Sequence, residues 1–252
     1  VMSATPIPQT LAYILYGDLD ISIIDEYPKG RQKIDTYCVD TSYHPRIYNY
    51  IKKFLNEGRQ GYIVCPLVEE NEQSDMTSAT EYYKKLKDNE FKDYTVGLLH
   101  GKMKAAEKEA VMREFADGKI QLLIATTVIE VGIDVPNAVI MVIENADRFG
   151  LSQLHQLRGR IGRGKYKSDC ILISDSSSPE TEKRLNVIKQ SSDGFKIADY
   201  DLELRGPGDF LGNRQSGLPQ MRIADIFADK QVLLIAKKQA EQLLNKDSKL
   251  KL

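Results

Sequence analysis

IQLLIATTVIEVGIDVPNAVIMVIENADRFGLSQLHQLRGRIGRG, residues 120–164, decides the fold. Residues 120–126 and 138–144 are short apolar runs of strand length. The run 152–161 then repeats its apolar residues at helical spacing. A buried strand, a loop, a second buried strand and a helix form one piece of a parallel α/β sheet.

Working outward, the alternation extends from about residue 33 to 174. Strands are expected at 33–40, 61–67, 95–100 and 170–174. Helices are expected at 44–58, 79–88 and 105–117. In the first helix Ile47, Tyr50, Ile51, Phe54 and Leu55 recur at i, i+3, i+4, i+7 and i+8. Residues 68–78 are polar and acidic and read as a loop. This pattern predicts a parallel sheet with helices on both faces. Ligands in such sheets sit beyond the carboxyl ends of the strands. The loops after Ile124, after Ile143 and before Leu151 are therefore the expected site.

The pattern changes after Ser174. Residues 180–191 and 195–204 read as two short helices. Residues 205–219 are rich in Gly and Pro, and 229–245 form a last helix with Val232, Ile235, Ala236, Ala240 and Leu243 on one face.

The chain has 252 residues, 42 % hydrophobic, enough for one large domain and a smaller piece. A net charge of −1 means that any nucleic-acid contact must come from local basic clusters. Cys38, Cys65 and Cys170 lack metal-ligand spacing and read as buried thiols of a cytosolic protein. No apolar run is long enough to span a bilayer. The start at Val1, with no leader, suggests a fragment of a longer protein.

Residues 156–164, QLRGRIGRG, set Arg160 and Arg163 three apart at a helix end, with glycines that permit close approach. Residues 151–168 hold five Lys and Arg and no acid. Two readings stand equal on this segment alone. One is a forked grip on a transferred phosphoryl group; the other is a solvated basic loop. Residues 125–134, ATTVIEVGID, leave a strand at two hydroxyls. They suit phosphate contacts, with Asp134 placed to accept from a ribose, but a capped turn explains them as well.

Together the two segments resemble motifs V and VI of superfamily 2 helicases. Ser3-Ala4-Thr5-Pro6 resembles motif III. The finer resemblance is to the RecG family, carried by residues 3–19, 63–70 (IVCPLVEE), 99–104 (LHGKMK) and 144–164. Residues 205–217 (RGPGDFLGNRQSG) resemble its TRG element, which links ATP turnover to movement on DNA. The transcription-repair coupling factor carries a related element and is the nearest alternative.

The resemblance implies an α/β, RecA-like helicase C-terminal lobe over residues 35–177. Residues 1–34 would be the end of a first lobe, and 178–252 a helical hairpin, loop and helix. It implies that Arg160 and Arg163 reach ATP across a lobe interface. Gln156, Gly132 and Asp134 would lie near the nucleotide, and Thr126 and Thr127 near the DNA backbone. Thr5, Arg205 and Gln215 would couple the two. ATP and Mg²⁺ would be used by the full-length protein and not held tightly by this chain. The partner would be branched or duplex DNA, as in fork and Holliday-junction remodelling. The P-loop, the DEXH box and the OB-fold wedge would lie on parts of the protein outside this chain.

Two decoys fail. Residues 159–165 fit G-x-x-x-x-G-K, but Tyr166 stands where a P-loop needs Ser or Thr, and a helix precedes it rather than a strand. Residues 21–26 (ISIIDE) imitate a Walker B strand but come after motif III. A non-catalytic nucleic-acid-binding module remains the reading from a different class.

Overall fold

The computed structural model describes residues 32–66, 72–126, 133–205 and 229–246, with isolated positions 22, 24 and 26. Among these, six strands form one sheet. They are β1 (Ile34–Val39), β2 (Gln60–Val64), β3 (Val96–Leu99), β4 (Leu122–Ala125), β5 (Ala138–Ile143) and β6 (Ser168–Ile173). The order is β1-β6-β5-β2-β4-β3, and every pairing is parallel.

The continuous apolar strands follow from burial on both faces. Side chains alternate along each strand. Ile63, Ile124, Val142 and Ile171 point to one face, where α1 (His44–Asn56) packs Ile47, Ile51 and Leu55. Tyr62, Leu123, Met141 and Cys170 point to the other. There α3 (Ala105–Ala116) places Met112 and Phe115, and α4 (Leu151–Arg158) places Leu151, Leu154 and Leu157. The expected α/β sandwich is thus the observed one.

Two boundaries and the burial of two thiols differ from expectation. α2 (Glu72–Lys85) begins inside the segment read as a loop. Its sequence, EQSDMTSATEYYKK, carries no apolar period in the first turns, so helical spacing does not show its start. α4 stops at Arg158 because Gly159 follows as its C-cap, ahead of the expected residue 161. Of the three thiols only Cys170 is buried; Cys38 and Cys65 are half-buried.

After β6 come α5 (Pro179–Gln190) and α6 (Gly194–Arg205), then α7 (Lys230–Lys246). Two compact units are distinguished, the larger reaching Asp201 and holding the whole sheet. α7 belongs to the second, and Val232, Ile235, Leu243 and Leu244 on it are exposed. No helix among the described residues is long and apolar enough to cross a membrane.

Candidate functional site

α4 returns antiparallel to β5, so the arginine loop that follows it lies beside the starts of strands. Gly162 (φ 72°) approaches Ile34, the first residue of β1; a Cβ there would stand 2.7 Å from Ile34 Cγ1. At Gly164 a Cβ would meet the Pro136 carbonyl oxygen at 2.4 Å, just ahead of β5. These glycines do seat a backbone close by, as the sequence suggested, but the backbone is the protein's own.

Seated this way, the loop presents Arg163 to Asp134. Arg163 Nη1 donates to Asp134 Oδ1 at 3.2 Å, and Arg163 Nε donates to the Gly159 carbonyl at 2.9 Å. The pair is partly exposed, with the Arg163 side chain 34 % and Asp134 57 % accessible. Arg160 is half-buried nearby. Burial holds the Tyr62 phenol above its usual range, and the charges of Arg160 and Arg163 oppose that shift while Asp134 adds to it. Asp134, Arg160 and Arg163 therefore share one neighbourhood. Gln156 is half-buried on α4. Arg158 is buried and donates to the Ile188 carbonyl, which ties α4 to α5.

This arginine cluster is at the amino edge of the sheet, opposite to the expected carboxyl edge. The reason is the antiparallel return of α4. Thr126 is at the carboxyl edge. It is 2 % exposed, its N–H donates to the Leu99 carbonyl at 3.0 Å, and its Oγ1 has no partner among the described residues. Thr127, Gly132, Thr5 and Gln215 lie outside the described residues. Arg205 ends α6.

Sequence reasoning gave no role to the loop after β3. There His100 Nδ1 is buried without a partner among the described residues. Lys102 and Lys104 are exposed, and Lys108 Nζ donates to the Gly101 carbonyl at 2.7 Å. The hydrogen bond between Thr126 and Leu99 brings this basic loop beside the Thr126 hydroxyl. Exposed Lys102 and Lys104 beside a glycine suit contact with a phosphate oxygen. The available signal was a glycine and two lysines directly after a strand.

Residues 46–165 match the family described as helicase conserved C-terminal domain. Residues 191–252 match ATP-dependent DNA helicase RecG, domain 3, C-terminal. The chain is 51 % identical over 249 residues to ATP-dependent DNA helicase RecG of Synechocystis sp., covering 99 % of the chain and 30 % of the relative. It is 49 % identical over 247 residues to RecG of Bacillus subtilis, covering 98 % of the chain and 36 % of the relative. A solved structure of RecG bound to a three-way DNA junction superposes with a TM-score of 0.74 at 45 % identity. That match covers 92 % of this chain and 30 % of the other. The chain thus spans about a third of the length of these relatives. With sequence and fold in agreement along nearly its whole length, the chain is homologous to the C-terminal region of RecG helicases.

Proposed function

We propose that this chain is the second motor lobe, with its attached coupling segment, of an ATP-dependent DNA helicase that remodels branched DNA in repair and recombination. Residues 35–177 form the lobe, 1–34 the end of the first lobe, and 178–252 the hairpin, loop and helix that couple it to DNA. The observation that carries the reading is the clustering of Arg160, Arg163 and Asp134 at one edge of the sheet.

Arginine stays charged when desolvated and grips phosphate oxygens with a rigid fork. Arg160 and Arg163 stabilise the charge that develops on the γ-phosphoryl group of ATP as the two lobes close. Asp134 holds Arg163 ready, and with Gln156 and Gly132 it lines the nucleotide side. Thr126 at the other edge, together with Thr127 and joined by His100, Lys102 and Lys104, takes the DNA backbone. Thr5, Arg205 and Gln215 couple ATP turnover to movement on DNA. Among the described residues no three His, Cys, Asp or Glu side chains converge on a metal site. In the full-length protein ATP and Mg²⁺ are used together with the P-loop lobe, with ATP between the lobes. The protein works in the cytosol.

The test is Arg163→Ala in the full-length protein. DNA-stimulated ATP hydrolysis should fall by roughly 10³-fold or more. An unchanged rate refutes the assignment.

A further inference from the structure

Glu144 follows β5 directly and is only 7 % exposed. Its Oε1 accepts from Tyr82 Oη at 2.6 Å, and His44 Nε2 lies 3.1 and 3.0 Å from Oε1 and Oε2. Tyr82 Oη is also 3.2 Å from Tyr48 Oη. The Tyr48 ring stacks on His44, with centroids 5.4 Å apart and planes 11° apart. Burial, and then the Glu144 charge, hold the Tyr82 phenol protonated far above its usual range. The Glu144 N–H donates to the Val64 carbonyl of β2 at 2.8 Å. One side chain therefore joins α1 and α2 to the end of β5, while its own backbone is fixed to β2.

The next residue, Asn145, has φ 46°, in the left-handed region that non-glycine residues seldom occupy. That turn aims the chain into α4 and the arginine loop. Asp147, two residues on, accepts from Ser174 Oγ at 2.8 Å, and its carbonyl accepts from Arg184 of α5. The segment 144–147 is thus held by side chains from both directions.

A leucine at position 144 would fill space without the desolvation cost of a buried carboxylate. What a leucine would lack is direction. Hydrogen bonds to two rings, His44 and Tyr82, fix the orientation of the turn relative to α1 and α2, which apolar contacts leave free to slide. We propose that Glu144 is a positioning residue. Through Tyr82 and His44 it locks the turn entering α4, so that events at the carboxyl edge reach Arg160 and Arg163 at the amino edge. This rests on the motor-lobe reading above. None of the four side chains needs to touch ATP or DNA for it to hold.

The experiment uses the full-length protein with Tyr82→Phe, Glu144→Ala and Glu144→Gln. Tyr82→Phe removes one hydroxyl and keeps the ring, so it decides the matter even where Glu144→Ala does not fold. DNA-free ATP hydrolysis and affinity for a forked DNA probe should stay within about twofold. The DNA-stimulated kcat should fall roughly 3- to 30-fold, the range for residues that carry coupling between sites. Glu144→Gln, which keeps an acceptor for Tyr82, should recover part of the loss of Glu144→Ala. An unchanged ratio of DNA-stimulated to DNA-free rate in Tyr82→Phe overturns the proposal. If that occurs while Arg163→Ala abolishes hydrolysis, the Glu144 inference alone fails. If Arg163→Ala also retains full hydrolysis, the motor reading fails and the inference with it.

Discussion

Arg163 and Asp134 meet at 3.2 Å although 29 residues separate them in sequence. The second anchor of Arg163 is the Gly159 carbonyl, reached by Nε at 2.9 Å. The two contacts use different nitrogens of one guanidinium, which a lysine cannot imitate. Arg163→Lys should therefore lower DNA-stimulated ATPase of the full-length protein at least about tenfold despite keeping the charge. Stability should change by less than about 1 kcal/mol in urea unfolding, because the pair is partly exposed. A lysine variant with the parent rate would show that charge alone suffices.

The glycines of the arginine loop should tolerate nothing larger. Gly164→Ala sets a methyl group against the Pro136 backbone, which has no rotamer to yield. Gly162→Ala meets the side chain of Ile34, which does have one, but carries a strained positive φ as well. Each should cost about 1–3 kcal/mol in denaturant unfolding. Arg163→Ala measured alongside should unfold at nearly the parent concentration. A parent-like midpoint for Gly164→Ala would contradict the close approach.

Gln60 is 3 % exposed, and its Nε2 donates to two backbone carbonyls, Phe115 at 2.5 Å and Ile120 at 2.7 Å. Gln60→Leu removes both donors while keeping bulk. The Ile120 carbonyl would lose this partner while the Phe115 carbonyl keeps the Gly118 N–H at 3.1 Å, which should cost about 1–3 kcal/mol. Chemical unfolding reads this directly, and a loss below 1 kcal/mol would mean that other groups satisfy these carbonyls.

Burial pushes the Cys170 thiol up to about 12, partly offset by the charge of Arg158. The thiolate is the reactive form, so Cys170 should resist alkylation at pH 8 in the folded chain and react on unfolding. The raised value also sets the sign of a pH effect. This group's stabilising contribution is complete below the ordinary thiol range and is lost as pH rises from 9.0 toward 12. Mass spectrometry after iodoacetamide treatment, with and without denaturant, checks the first point. Rapid modification of native Cys170 would contradict its burial.

The strands, most helices and the parallel sheet were legible in the sequence because their causes are local. Residues 138–143 are apolar at every position because both faces of β5 are covered. Residues 44–56 repeat at helical spacing because one side of α1 meets the sheet. The resemblance carried by QLRGRIGRG and ATTVIEVGID was legible for the same reason, since the spacing is written in consecutive residues. The start of α2 at Glu72 was not legible, because polar side chains there leave no hydrophobic period.

Tertiary structure alone decided where these segments came to lie. The antiparallel return of α4 moved Arg160 and Arg163 to the amino edge, away from Thr126 and His100, an arrangement that no local pattern encodes. It also brought Arg163 to Asp134, Thr126 beside the basic loop after β3, and Glu144 to Tyr82 and His44. Those pairings depend on strand order and register, which are set by how distant segments pack together. The sequence determined which segments form and which family they resemble. Packing determined which of their side chains meet.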